Sequence, residues 1–170
     1  MNEFKAKKMT RRFEQHFLDT PEKVFPLLCP TREYEWIEPW KYELLRSDSG
    51  FAEANCVFKT SVLTDGVEDV WVISHYEPGK RIDFVRFDGR RVMSYSIVLE
   101  AAADGTTTAH NTQVVTALNE EGNRMIDGED DDTFASEMRV GEMLLNHFLT
   151  TGKKLPIAEA IEAVKLGGNK

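Results

Sequence analysis

The densest run of residues able to do chemistry is Arg32-Glu33-Tyr34-Glu35-Trp36-Ile37-Glu38-Pro39-Trp40. In a helical turn Arg32 reaches Glu35 at i+3 and Trp36 at i+4, spacings that suit an ion pair and a cation–π contact. Two roles fit the run. In one, the tryptophans plug the mouth of a sheet and the carboxylates stay in water. In the other, Trp36 and Trp40 line the entrance to a cavity, and Glu33 or Glu35 faces a bound molecule. A carboxyl buried in such a place has a raised pKa and can serve as an acid or a base.

The other reactive side chains are scattered. His16, His75, His110 and His147 each fall on a separate element, and none forms the i, i+4 pair of a helical metal site, so no metal is expected. His75 shares a strand face with Trp71 and Ile73, which aims it at the interior. His110 lies in the threonine-rich stretch Thr106 to Thr116, where either face is open to it. The catalytic candidates are therefore Glu33, Glu35, His75 and His110. Cys29 and Cys56 have no Cys-x-x-Cys context and read as inert, reduced thiols of a cytoplasmic protein. Without a Gly-x-Ser-x-Gly turn or a glycine-rich phosphate loop, hydrolase and nucleotide chemistry are disfavoured and no cofactor is expected.

The elements that must position these residues are legible from turns and periodicity. Asp48-Ser49-Gly50, Asp65-Gly66, Pro78-Gly79, Asp88-Gly89 and Asp104-Gly105 punctuate segments rich in Val, Ile, Phe, Tyr, Trp and Thr. Asp-Gly supplies the positive φ of tight hairpins and Pro-Gly suits a type II turn, so the segments read as consecutive antiparallel strands. Strands are expected over 9–18, 41–47, 53–63, 69–76, 81–87, 91–102 and 106–118. Between the first two, Asp19-Thr20-Pro21-Glu22 starts a short helix that Pro26 and Pro30 end, and residues 31–37 add a further turn before Pro39. Residues 119–131 read as an acidic loop. The long helix is expected over 132–151, with Phe134, Met138, Gly141, Leu145 and Phe148 on one stripe and Gly152 as its left-handed cap. Gly141 in mid-stripe costs about 1 kcal/mol against alanine, so it implies either a close neighbouring backbone or free volume beside the helix. A weaker amphipathic segment follows at 157–166.

Bulk properties narrow the class. The 170 residues suit one domain, and 21 basic against 29 acidic side chains give a formal charge of −8, which disfavours nucleic-acid binding. No apolar run is long enough for a membrane span, and the polar, basic start lacks the apolar core of a secretory signal.

The order of strand, two short helices, six-strand meander and long C-terminal helix resembles the helix-grip fold of the START-like (SRPBCC, pollen-allergen-related, polyketide cyclase-like) superfamily. Local wording is also similar to bacterial members: Val24-Phe25-Pro26-Leu27-Leu28-Cys29-Pro30, Arg32 to Trp36, Trp40, Ser47-Asp48-Ser49-Gly50 and Asn146-His147-Phe148-Leu149. The resemblance implies an α+β helix-grip fold, with a seven-stranded curved antiparallel sheet wrapped around the last long helix. It spans a core at 8–152 of a single domain 1–170, leaving 153–170 as a C-terminal extension. The superfamily includes lipid carriers, hormone receptors, cyclases and chaperone co-activators, and this chain lacks the Cys and His pairs of its Rieske oxygenases.

The leading expectation is binding of a small apolar or aromatic molecule (lipid, polyketide-like or isoprenoid) between sheet and helix. Its lining would be Trp36, Trp40, Phe58, Trp71, Ile73, Phe84, Met93, Tyr95, Phe134, Met138, Gly141 and Leu145, an adaptable wall of Met and aromatics. The alternatives are a cyclase- or dehydratase-type enzyme using a cavity acid or base, and a co-chaperone-like interaction module. A monomer, or a homodimer built on the 41–47 edge or the 157–166 helix, fits either way.

Overall fold

The computed structural model describes residues 3–61 and 68–167. The Asp65-Gly66 turn and the end of the strand expected over 53–63 lie outside them. The four other punctuating glycines, Gly50, Gly79, Gly89 and Gly105, all take φ between 74° and 84°, the left-handed geometry that made them readable as turns.

Seven strands form one antiparallel sheet: β1 (Lys8–Phe17), β2 (Tyr42–Arg46), β3 (Val57–Thr60), β4 (Asp69–Glu77), β5 (Arg81–Phe87), β6 (Arg91–Ala101) and β7 (Thr107–Ala117). Their spatial order is β1-β7-β6-β5-β4-β3-β2, so β2 to β7 make a meander and β1 closes beside β7. Four helices complete the chain: α1 (Pro21–Leu27), α2 (Glu120–Asp127), α3 (Asp131–Thr151) and α4 (Ile157–Gly167). The further turn after α1 is a single 3₁₀ turn, Glu33–Glu35. The sheet curves around α3. This is the helix-grip arrangement.

Two expectations change. The stretch read as an acidic loop contains α2. Asn119 caps it by accepting from the Gly122 amide, and Gly122 lies so close to the preceding hairpin that a Cβ there would sit 2.2 Å from the Arg90 carbonyl oxygen. The helix rests on that contact and on Ile126, not on a long apolar stripe. Residues 153–170 are also more than an appendage as far as they are described. Ala160 of α4 is wholly buried, and Leu155 and Ile157 pack on the main core.

The caps of α3 follow its sequence. Asp130 accepts from the Thr133 amide, and Gly152 ends the helix at φ 67°. What holds α3 in place is the exposed edge of β1. Asn146 donates to the His16 carbonyl at 2.7 Å and accepts from the Leu18 amide at 2.8 Å, while Glu142 accepts from the His16 amide at 2.9 Å. Side chains of α3 thus satisfy an edge strand that would otherwise offer free backbone groups.

The interior divides in two. A large cluster holds Phe17, Phe25, Trp36, Phe58, Ile73, Phe84 and Leu145 with their neighbours. A smaller one, of Met93, Val115, Ala117 and Ile126, fills the α2 end. Cys29 and Cys56 are both buried and unpaired, and burial pushes the Cys29 thiol up to about 12, which makes it a poor nucleophile.

Candidate functional site

A partly open cavity of about 180 Å³ lies between the sheet, α3 and the segment that follows α1. Its walls come from every layer of the fold. Trp36, Trp40 and Glu33 project from the turn segment, Phe58 and Trp71 from β3 and β4, Phe84, Tyr95 and Ile97 from β5 and β6, and Glu137, Met138 and Gly141 from α3. Gln15 and Phe17 of β1 and Leu28 and Pro30 beyond α1 complete it. Gly141 faces this space. The nearest atom to a Cβ built there is Gln15 Nε2 at 3.7 Å, so free volume and not a close backbone explains the glycine.

The local chain explains why the tryptophans sit there. Trp36 Nε1 donates to the Leu27 carbonyl at 2.7 Å and Trp40 Nε1 to the Pro30 carbonyl at 3.0 Å. Each indole thereby satisfies a carbonyl at the end of α1 or just past it and is drawn back over the cavity mouth. Trp71 Nε1 donates to Thr60 Oγ1 at 3.0 Å and its ring stacks on Phe58, with centroids 5.9 Å apart. All three indole donors are committed within the protein.

The other polar lining is committed too. Tyr95 donates its hydroxyl to Asn111 Oδ1 at 2.7 Å, Asn111 Nδ2 donates to Gln15 Oε1 at 3.1 Å, and Gln15 Nε2 donates to the Met138 carbonyl at 2.6 Å. This relay ties β6, β7, β1 and α3 together through two nearly inaccessible amides. Fully satisfied buried networks of this kind rigidify a core.

Glu137 is one exception, and Glu33 is the other. Its carboxyl has no hydrogen-bond or ion-pair partner among the described residues. Desolvation alone pushes its pKa from 4.5 to about 8. Residue Glu33 is half-buried and is part of the cavity wall. Its charge also helps burial raise the Tyr95 hydroxyl. Glu137, on α3, is likewise raised by desolvation, partly offset by Arg11.

The remaining candidates separate clearly. Glu35 pairs with Arg32 as the spacing implied, at 2.6 and 2.9 Å, and that hydrogen bonding holds its pKa below the usual range. It stands outside the cavity, and Trp36 turns inward instead of lying under Arg32. His75 does not reach the interior. The register between β4 and β5 shifts between Ile73 and His75, so an extra residue reverses the alternation, and the ring sits 46% exposed near Glu77. His110 takes the outer face, 45% exposed, near Glu14 and Glu100. Among the described residues no group of three or more His, Cys, Asp or Glu could hold a metal ion.

Of the expected apolar lining, Trp36, Trp40, Phe58, Trp71, Phe84, Tyr95, Met138 and Gly141 are on the cavity. Ile73 and Leu145 are solid core with no exposed surface. Met93, two positions along β6 from Tyr95, belongs to the smaller cluster. Phe134, one turn before Met138, is closed off by Phe13 and by the Arg11 guanidinium 4.3 Å above its ring. Gln15, Phe17, Leu28, Pro30, Ile97 and Glu137 were not anticipated. Gln15 carried a signal, as a polar residue on the inward face of a strand between Phe13 and Phe17.

No family model and no curated protein matches this sequence. Solved structures do match in shape. An uncharacterised protein from Rhizobium leguminosarum superimposes with a TM-score of 0.62 at 19% identity, over 86% of this chain and 97% of that one. Together with the sheet order and the gripped helix, that overlap decides the architecture. This is a helix-grip fold. The fold also matches Ara h 8.0201, with a TM-score of 0.56 at 19% identity over 95% of this chain and 99% of that one. DynU16, a putative protein of the dynemicin biosynthetic locus, matches with a TM-score of 0.54 at 17% identity, over 85% of this chain and 48% of its own. At these identities the likeness is one of fold.

Proposed function

We propose that this protein binds a small, largely aromatic or apolar molecule in the cavity between sheet and α3. The observation that carries the reading is a space of about 180 Å³ walled by Trp36, Trp40, Trp71, Phe58, Phe84 and Tyr95 and left open beside Gly141. Drug-sized ligands fill roughly 300–1,000 Å³, whereas a cavity near 150 Å³ takes benzene. The volume therefore favours a body of one or two rings over the lipid, polyketide-like or isoprenoid ligands expected from the fold resemblance. Binding needs no covalent step. Among the described residues no helix is long and apolar enough to cross a membrane.

The test is binding of 1-anilinonaphthalene-8-sulfonate and of small uncharged aromatics such as indole, followed by tryptophan fluorescence, with native mass spectrometry of the purified protein. Met138→Trp fills the space from α3 and is expected to reduce indole affinity at least tenfold. Equal affinity in wild type and variant would remove the cavity as the site.

Proton transfer at Glu33 is a second reading, favoured by one observation: a carboxyl titrating near pH 8 is matched to acid–base work at neutral pH. A cyclase- or dehydratase-type reaction beside a carbonyl would use it. Turnover of an activated ketone lost in Glu33→Gln, with a pH–rate midpoint near 8 in wild type, would support that role. A rate unchanged by Glu33→Gln would end it.

A further inference from the structure

The cavity's hydrogen-bonding inventory restricts the ligand more sharply than its volume does. The indole N–H groups donate to Leu27, Pro30 and Thr60, the Tyr95 hydroxyl to Asn111, and one N–H of the Gln15 amide to Met138. The two polar side chains without a partner among the described residues, Glu33 and Glu137, are both carboxylic acids. No Lys, Arg or His lines the space. Arg86, 5.4 Å over the Trp71 ring, is neutralised by Asp69 at 2.8 Å. A carboxyl left unsatisfied among aromatic rings is costly unless a ligand completes it. An anion finds no cationic side chain there, and a purely apolar ligand leaves Glu33 as it was. A cation receives both the carboxylate and the π-faces.

We propose that the ligand is an amine: an ammonium group, carried on a one-ring body, that ion-pairs with Glu33 inside the aromatic cavity. This rests on the cavity-binding reading above and names the chemical class of its ligand. Glu33 supplies the charge, the rings supply the apolar contact, and Glu137 across the cavity adds to the negative potential.

The proton inventory makes the idea measurable. Glu33 titrates near 8, so at pH 7 about nine-tenths of it is protonated. An ammonium ligand must displace that proton. Binding at pH 7 therefore releases close to one proton, and affinity rises roughly tenfold per pH unit up to about 8 before levelling off. The groups facing Glu33 do not imitate this. Burial raises Tyr95 far above the range, Cys29 is raised to about 12, and Glu35 is held low by Arg32. Glu137 is raised as well but is exposed, and proton release surviving in Glu33→Gln would report it.

The experiment is isothermal titration calorimetry with 2-phenylethylamine, 2-phenylethanol and phenylacetate, matched in size and differing in charge. It is run at pH 6, 7 and 9 and, at pH 7, in two buffers of different ionisation enthalpy. The expected result at pH 9 is the amine at least tenfold tighter than the alcohol, and phenylacetate weakest. Glu33→Gln is expected to erase the amine preference and the proton release while keeping the alcohol. Equal binding of amine and alcohol, or a preference that survives Glu33→Gln, would overturn the amine assignment and leave the aromatic-cavity reading standing. Binding by none of the three would overturn it too, and indole displacement in Met138→Trp then judges the cavity separately. Should Glu33→Gln fail to fold, proton release by the wild type decides: none at pH 7 refutes the proposal.

Discussion

Two regions of this protein bury acidic side chains against α3 and the sheet, and they treat them in opposite ways. At the α2 end Asp88 is 3% exposed but accepts from the amides of Arg90 and Arg91 at 2.9 and 2.7 Å and from the Arg91 guanidinium at 2.9 Å. Arg91 reaches on to Glu129 at 2.5 Å, and Glu129 is shared with Arg11. At the other end Glu33 has no partner among the described residues. Burial pushes both carboxyls up. At Asp88 the amide bonds and the guanidinium outweigh it and the pKa ends low, whereas at Glu33 nothing opposes it and the pKa ends near 8. The first arrangement is structure completed. The second leaves a carboxyl unpaired among the described residues, open to a group that enters the cavity.

The largest effect should come from breaking the completed end. Asp88→Ala leaves the Arg91 guanidinium, 14% exposed, with Glu129 alone and strands two hairpin amides. Removing one member of a buried, bonded pair costs about 3–5 kcal/mol. A loss of that size in urea unfolding is expected, and a change below about 1 kcal/mol would show that the α2 end is not held by its ion pairs.

Next in size is a pH response that has opposite sign at the two ends. For Glu33 the folded pKa lies above the unfolded one, so the folded chain binds the extra proton between about pH 4.5 and 8. Stability from this group is greatest below 4.5 and falls as pH rises to 8, by an amount on the order of a few kcal/mol. Asp88, whose folded pKa is lowered, contributes stability at neutral pH that is lost in acid. Urea midpoints at pH 5 and 9 should fall in wild type and flatten in Glu33→Gln. An identical fall in both proteins would place the response elsewhere.

The comparison also marks what could be read before any coordinates. The sheet was legible because period-two alternation and Asp-Gly turns are local and obey strict geometry. The Arg32 to Trp40 segment was legible as a site because carboxylates and tryptophans rarely share so short a run. The choice between Glu33 and Glu35 was not legible. Both flank one turn, and only the inward pull of the Trp36 and Trp40 indoles on the α1 carbonyls decides which faces the cavity. His75 was misplaced by a single inserted residue in β4, to which alternation is blind. Helix α2 was hidden because an asparagine cap, a glycine contact and side-chain bonds to the segment before β1 hold it, and none of these shows as periodicity.

That contact supplies a third prediction. Gly122→Ala drives a Cβ to 2.2 Å from the Arg90 carbonyl, so the helix or the hairpin must move. Overpacking of this kind costs about 1–3 kcal/mol. Since Arg90 and Arg91 belong to the completed end, the shift should also weaken Asp88's bonds, and the double variant with Asp88→Ala should lose less than the sum. Strict additivity in denaturant unfolding would show the two contacts to be independent.

The smallest effect is at the open end, and its sign is reversed. Gly141 sits in the middle of a 21-residue helix, where glycine is worse than alanine by about 1 kcal/mol, and a Cβ there meets only Gln15 Nε2 at an ordinary 3.7 Å. Gly141→Ala should therefore raise stability by about 1 kcal/mol in thermal or urea unfolding. The same methyl group projects into the cavity, so ligand affinity should fall as stability rises. A larger residue, as in Gly141→Leu, should abolish binding while the far-ultraviolet circular dichroism stays native. If Gly141→Ala gains stability and binds small aromatics as well as wild type, the space beside α3 is not where the ligand sits. If it loses stability, the helix needs that glycine for a packing reason, and the contrast between a completed and an open end loses its second leg.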